Sequence, residues 1–251
     1  MIQTYFNRYE IKYRISLAQR DKMIQYLKNF MHLDSHTSNG INYEVRSVYY
    51  DSPVRKALQE KINGLNVRKK LRVRYYPNSS MNGNSFGNDE MVFLEIKRKF
   101  GENVSKSRIV APMQNWKSIM DENSNEAALH FNSLSPKERR TLEEIWFLHR
   151  KFHLYPVCVV VYQRQAFLGN KDPRFRITFD SKVQVRSCDF DLHNGTGTHF
   201  ILPPEVVVME VKFTNKIPIW ATKFLNVKNV RAEKVSKFAH GLQKTHTVSL
   251  V

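Results

Sequence analysis

Residues 67–76 read Val-Arg-Lys-Lys-Leu-Arg-Val-Arg-Tyr-Tyr, which places Arg68, Lys70, Arg72 and Arg74 at alternate positions. Successive side chains of a strand point to opposite faces, so these four cations share one face. Val67, Leu71, Val73 and Tyr75 share the other, with Lys69 the exception. The same split aligns Lys12 with Arg14, Lys97 with Lys99, Lys106 with Arg108, and Arg174 with Arg176, while Arg164 and Lys212 each stand in an apolar run. Carboxylates follow the pattern too. Glu10-Ile11-Lys12, Glu95-Ile96-Lys97 and Glu210-Val211-Lys212 each put a carboxylate and an ammonium on one face, about 7 Å apart. One such pair is ordinary charge compensation. Three of them beside R-x-R and K-x-R point to carboxylates that hold Mg²⁺ or Mn²⁺ as hard oxygen ligands, while neighbouring lysines hold phosphates.

The elements that must carry these residues are mostly antiparallel strands. Strands are expected over residues 5–15, 43–51 and 65–76, as a hairpin over 91–100 and 103–111, and over 155–168, 174–186 and 206–214. Helices are expected over 17–31, from Ser52-Pro53 to Ile62, over 114–153 with Ser135-Pro136 starting the longest, and from 217 onward. Residues 35–42 and 77–89 read as polar connections. No internal repeat or linker divides the chain, so residues 1–251 are expected to form one domain. The class is α+β around one sheet system.

A solvated sheet face usually mixes signs, whereas these faces are strongly cationic, and the chain carries 40 Lys and Arg against 23 Asp and Glu, a net charge of +17. Massed like charge suits a concave surface filled by an extended polyanion. Closing the sheet would put the cations inside, the apolar faces outside under helices, and leave no free edge. Nucleic acid is the less suitable polyanion, because its binders show exposed basic patches with interleaved aromatics. A sequence-specific nucleic-acid partner is therefore not expected.

Other signals exclude other chemistries. Cys158 and Cys188 lack metal spacing and suggest a reducing compartment. Residues 1–10 have no apolar core, so no signal peptide is expected, and a soluble cytosolic domain follows, with docking on a separate membrane protein left open. His149 and His153 are spaced as a helical pair without a third ligand. Trp116, Trp146 and Trp220 are scattered, as packing residues are, and Asn194-Gly195-Thr196-Gly197 lacks the Gly-Lys-Ser/Thr of a phosphate loop.

Taken together, Tyr9-Glu10-Ile11-Lys12-Tyr13, Leu71-Arg72-Val73-Arg74-Tyr75, Phe93-Leu94-Glu95-Ile96-Lys97, Tyr162-Gln163-Arg164, Glu210-Val211-Lys212 and Lys234-Val235-Ser236-Lys237-Phe238 resemble the VTC domain. That is the catalytic domain of the vacuolar transporter chaperone polyphosphate polymerases and their bacterial relatives, among the triphosphate tunnel metalloenzymes. The resemblance implies a closed antiparallel β-barrel tunnel with surrounding helices and a C-terminal helix at one mouth. It implies ATP and inorganic polyphosphate as substrates and Mn²⁺ or Mg²⁺ as cofactor. Arg72, Arg74, Lys97, Arg164, Arg176 and Lys237 resemble the catalytic cations. Lys12, Lys106, Arg108, Tyr162, Lys212, Lys234 and Ser236 resemble substrate-binding positions. Glu210 resembles the metal ligand, with Glu95 and Glu10 as further candidates. The related CYTH triphosphatases open with E-x-E-x-K, whereas Arg8 stands here where the first glutamate would be. Fewer carboxylates favour polymerase over hydrolase, though a triphosphatase and a non-catalytic polyphosphate-binding module remain open.

Overall fold

The computed structural model describes residues 8–34, 42–77, 90–101, 103–214, 216–227, 230–233 and 235–248. In chain order these form β1 (Arg8–Ser16), α1 (Leu17–Leu27), β2 (Met31–Leu33), β3 (Tyr43–Asp51), α2 (Lys56–Ile62), β4 (Val67–Tyr75), β5 (Met91–Phe100) and β6 (Asn103–Pro112). Three helices follow, α3 (Trp116–Ile119), α4 (Asn125–Ser133) and α5 (Pro136–Phe152). The rest is β7 (Tyr155–Gly169), β8 (Arg176–Arg186), β9 (His199–Phe200), β10 (Val206–Thr214), α6 (Ile219–Val227) and α7 (Lys237–Val248). The strands pair antiparallel along the path β1-β10-β8-β7-β3-β4-β5-β6, with β2 added to β7 and β9 to β8.

The alternation read from the sequence decides the layers. Leu71, Val73, Leu94, Ile96 and Ile109 turn to the convex side, where α5 covers them with Leu142, Ile145 and Leu148. A second apolar cluster joins α1 and α6 to the convex side of β1, β10 and β8 through Met23, Leu27, Ala221, Ile177, Phe179 and Met209. Lys69, the exception in the β4 parity, stands on this convex side and pairs with Glu144 of α5 at 3.0 Å. Arg72 and Arg74 of the same strand face the concave side. At one end of that side lies α7, whose Phe238, Ala239 and Leu242 pack on Val45, Val160 and Val185.

Several expectations need correction. Helix α1 stops at Leu27, short of the expected end at Met31, and Met31–Leu33 forms a short strand on β7. The helical stretch 114–153 resolves into three helices, with Ser124 capping α4 and Ser135 with Glu138 forming the capping box that starts α5, the longest, at the expected Ser135-Pro136. The strand expected from residue 174 begins at Arg176, and β9 was not expected. Residues 5–7, 35–41 and 78–89 lie outside the described residues. The expected closed barrel is not closed by hydrogen bonds: among the described residues no ladder joins β1 to β6, the two ends of the path. The ends approach each other, and Lys97 of β5 reaches Glu10 of β1 across the seam at 3.2 Å.

Candidate functional site

The concave face encloses a cavity of about 610 Å³ lined by Arg72, Arg74, Lys97, Lys106, Arg108, Arg164, Arg176 and Lys212, with Glu10, Tyr43, Tyr76 and Phe213 among them. Register explains the convergence. Arg74 stands opposite Ser47 of β3 and Phe93 of β5, Arg72 opposite Tyr49 and Glu95, and Glu95 opposite Arg108 of β6. On the other wall Lys12 lies opposite Glu210, Glu10 opposite Lys212, and Lys212 opposite Arg176.

Most of these cations are held by carboxylates. Arg72 forks onto Glu95 Oε2 through Nε at 2.7 Å and Nη2 at 2.6 Å, and Lys106 holds Glu95 Oε1 at 2.8 Å. Arg164 forks onto Asp180 at 2.6 and 2.7 Å. Glu210 gathers four cations: Lys212 and Lys237 at 2.9 Å, Lys12 at 3.2 Å and Arg164 at 3.6 Å. Lys237 also reaches Asp180 at 2.5 Å, so the first residue of α7 is tied into the wall. Arg176 pairs with Asp34 at 2.7 Å and donates to the Tyr43 hydroxyl at 3.2 Å, while its Nε has no hydrogen-bond partner among the described residues. Burial works to raise the carboxyls of Glu95 and Glu210, but the surrounding cations outweigh it and hold both well below the ordinary range. Burial lowers Lys97 to about 8 despite the help of Glu10.

Two cavity cations differ. Arg74 bonds only hydroxyls, those of Ser47 at 3.2 Å, Tyr76 at 3.3 Å and Tyr162 at 3.4 Å. Arg108 lies over the Phe93 ring at 4.8 Å. Neither forms an ion pair with a carboxylate among the described residues, although Glu95 lies near enough to act on the charge of Arg74. Tyr162 is buried with Arg164 at 5.1 Å and Lys237 at 4.9 Å from its ring centroid, which makes it a platform for both cations.

Of the sequence-derived residues, Arg72, Arg74, Lys97, Lys106, Arg108, Arg164, Arg176, Lys212 and Glu10 line the cavity. Lys12, Glu210 and Lys237 form the adjoining buried network, and Glu95 lies beneath Arg72. The Ser236 hydroxyl accepts from the Ala239 amide at 3.3 Å and so caps α7. Lys234 lies outside the described residues. Sequence reasoning missed Asp180, which holds both Arg164 and Lys237, although its parity with Arg176 in the same strand signals the concave face. It also missed the hydroxyl partners Ser47 and Tyr76.

Among the described residues no three His, Cys, Asp or Glu side chains come together as a metal cage. The donors still fit a divalent ion. Glu10 and Glu210 on neighbouring strands already share one cation, the Lys12 ammonium, at 3.3 and 3.2 Å. Mg²⁺-type ions are commonly held by one or two carboxylates completed by substrate phosphates and water.

A strongly curved antiparallel sheet with cations converging on its concave face is the triphosphate-tunnel class of fold. Solved structures of that shape include an adenylyl cyclase candidate from Hippeastrum described with a dominant triphosphatase activity, with a TM-score of 0.52, 16% identity, and 94% of this chain and 95% of that one covered. Another is an adenylate cyclase candidate from Bacillus halodurans, with a TM-score of 0.50, 10% identity, and 92% and 94% covered. Within that class the chain belongs to the VTC domain family, which it matches over residues 7–246. It is 26% identical over 222 residues to vacuolar transporter chaperone complex subunit 4 of Trypanosoma brucei brucei, and 26% identical over 221 residues to the Trypanosoma cruzi protein of the same name. Each alignment covers 79% of this chain but 28% of the relative, so the chain spans under a third of the length of these relatives.

Proposed function

We propose that this chain is an ATP-dependent polyphosphate polymerase that transfers the γ-phosphoryl group of ATP to the end of a polyphosphate chain lying on the concave face. The observation that carries the reading is the pair of guanidinium groups, Arg74 and Arg108, that face one cavity without an ion-pair partner among the described residues, in a member of the VTC domain family. A terminal oxygen of the acceptor attacks the γ-phosphorus, the bond from that phosphorus to the β,γ-bridging oxygen breaks, and ADP leaves. The attacking oxygen is already ionised, so no general base is required. Phosphoryl transfer has a loose transition state in which positioning and charge stabilisation dominate.

The chain's residues divide that work. Arg74 and Arg108 hold the transferring phosphoryl group, since neither must first leave a carboxylate. Arg72, Lys97, Lys106, Arg164, Arg176 and Lys212 hold the flanking phosphates, and the hydroxyls of Tyr76 and Tyr162 keep the Arg74 fork oriented. Lys237 fixes α7 against Asp180 and Glu210. Glu210, with Glu10, would hold Mn²⁺ or Mg²⁺, and such an ion when bound neutralises charge on phosphate oxygens. The concave face acts as a tunnel closed by side chains at the β1–β6 seam, within a single domain. A separate membrane protein receiving the polymer from the cytosolic side is consistent with this reading. No described helix is long and apolar enough to cross a membrane.

The test is to give purified protein ATP, Mn²⁺ and a short polyphosphate primer. The expected products are a ladder of lengthened chains with ADP formed in step. ATP consumed to orthophosphate alone would make the protein a triphosphatase, and ATP bound but not consumed would make it a binding module; either result overturns the proposal.

A further inference from the structure

Thr178 stands in the middle of the concave wall, outside the ion-pair network. Along β8 it alternates with Ile177 and Phe179, which belong to the apolar cluster under α1 and α6, so its side chain shares the concave side with Arg176 and Asp180. It is fully buried, and its hydroxyl has no hydrogen-bond partner among the described residues. Its two cross-strand neighbours are unlike each other. On β7 it stands opposite Ala166, whose methyl group offers nothing polar, and on β10 opposite Glu210. Directly opposed residues hold their Cβ atoms about 4.5–5.5 Å apart, so the hydroxyl lies beside that carboxylate without bonding to it. Neither Thr178 nor Glu210 lines the 610 Å³ cavity; both lie in the layer beneath it.

The groups that surround Glu210 are one-sided in their hydrogen bonding. Lys12 and Lys237 donate to its Oε1, while Lys212 and Arg164 approach its Oε2, and none of the four can accept. The nearby acceptors are engaged: Asp180 takes Arg164 and Lys237, and Glu10 takes Lys12 and Lys97. An ion of the Mg²⁺ type keeps several of its waters. Each such water offers two protons, which in a buried site need acceptors. The Thr178 oxygen is an acceptor beside Glu210 that no described residue uses. Donation from this hydroxyl to a phosphate oxygen suits the site less well, because the wall above already presents donors from Arg164, Arg176 and Lys212.

We propose that Thr178 is a positioning residue for the divalent ion: its hydroxyl accepts a hydrogen bond from a hydration water of an ion held by Glu210, and so fixes where on the wall that ion sits. The proposal rests on the reading of Glu210 as the metal-holding carboxylate. Thr178 itself touches neither nucleotide nor polyphosphate. A buried hydroxyl without a partner costs stability, whereas a methyl group in its place needs none. Thr178→Val should therefore leave the metal-free protein at least as stable as wild type while it weakens the hold on the ion. A hydroxyl that served only packing would show no such opposition of the two effects.

The test titrates Mn²⁺ into the full chain with tripolyphosphate bound, the protein in excess so that no free tripolyphosphate competes for the ion. The electron paramagnetic resonance signal of free Mn²⁺ reads the affinity without any turnover. Thr178→Val is expected to weaken Mn²⁺ binding by about 10-fold, the ordinary cost of losing a partner behind a metal site, and Thr178→Ser, which keeps the hydroxyl, should stay close to wild type. In EDTA, calorimetry should find the same tripolyphosphate affinity in wild type and Thr178→Val, and the melting temperature of Thr178→Val should not fall. Equal Mn²⁺ affinity in wild type and Thr178→Val overturns the proposal. A loss of tripolyphosphate affinity in EDTA overturns it too, since the hydroxyl would then serve a phosphate. A Thr178→Val protein that fails to fold, or melts well below Thr178→Ser without metal, makes the hydroxyl structural and has the same consequence. Glu210→Gln separates this inference from the reading beneath it. If that variant binds Mn²⁺ as wild type does, the metal reading of Glu210 fails and this one with it; if it loses the ion while Thr178→Val keeps it, only the role of Thr178 fails.

Discussion

Arg72 and Arg74 look interchangeable in the sequence, two arginines of one R-x-R, but they sit in different electrostatic situations. Arg72 is forked onto buried Glu95, so Arg72→Met leaves that carboxylate without its strongest partner; breaking a buried pair costs about 3–5 kcal/mol. Arg74 bonds hydroxyls only, so Arg74→Met orphans no acid. The expectation is a split: Arg74→Met should lose tripolyphosphate affinity by about 10–100-fold, the loss of one or two charge-assisted bonds, with little change in melting temperature. Arg72→Met should lose both. Calorimetry and thermal unfolding of the two variants side by side check this, and equal stability losses would mean the hydroxyl cradle of Arg74 matters as much as the Glu95 fork. Glu210→Gln is the complementary case. It removes the negative charge from among Lys12, Lys212, Lys237 and Arg164, so metal-dependent turnover should fall at least 100-fold while tripolyphosphate binds more tightly than to wild type. A metal titration followed by turnover measures the first effect and calorimetry the second. Unchanged turnover would reduce Glu210 to a charge balancer for its lysines.

At the scale of elements, strand parity made the concave residues legible, and a break in parity marks where legibility ended. Arg176, Thr178 and Asp180 follow one alternation, but the pairing of β7 with β8 shifts between Val161 and Gln163, and Lys182 adopts a left-handed φ of 50°. Beyond the shift Val183 and Val185 face α7, and Arg186, which simple alternation would put with Arg176, turns away to bind the carbonyls of Asp189, Asp191, Asn194 and Thr196. No residue type announces such a bulge, so no sequence pattern gave it. The short strand after α1 escaped notice for a related reason: Met31 is buried in both a helical and a strand reading, and the outcome depends on pairing with β7, a distant segment. By contrast Ser135-Pro136 with Glu138 carried its own start signal, and α5 begins there. Asp180 lies just before the bulge and ties two elements together through Arg164 and Lys237. Burial tends to raise its carboxyl, and those two cations overcome this and hold it low, as they help to do for Glu210. A depressed folded value means the stabilisation is complete above the unfolded pKa of about 4 and is lost as pH falls through the lower folded value. The melting temperature should therefore be flat on descending from neutrality to about pH 5 and drop below about pH 4. In Lys237→Met the plateau itself should be lower, with faster hydrogen exchange confined to α7, because that lysine is what ties the helix to the wall. Uniformly faster exchange would show instead that Asp180 supports the whole sheet.

For the whole molecule the open question of geometry is the seam. The hydrogen-bonded path ends at β1 and β6, and what spans the gap is proximity and the Lys97–Glu10 pair. A net charge of +17 draws a polyanion toward the molecule from any side, so binding alone does not tell whether a chain lies in an open trough or threads a tunnel. Threading needs a free end, whereas a trough accepts a chain from the side. Polyphosphate carrying a protein-sized block on one end should therefore bind nearly as fast as the free polymer, and polyphosphate blocked at both ends should associate at least 100-fold more slowly at the same ionic strength. Stopped-flow measurements with the three polymers give the comparison, and repeating them in higher salt removes the long-range attraction common to all. Glu10→Gln sharpens the reading. It takes the carboxylate from the seam and leaves Lys97 and Lys12 facing each other, so the seam should open and the doubly blocked polymer should regain much of its rate. If the doubly blocked polymer binds wild type as quickly as the free chain does, the concave face is a trough. The cations then grip a chain laid across them, and a polymerase working there must release and rebind its product rather than feed it through.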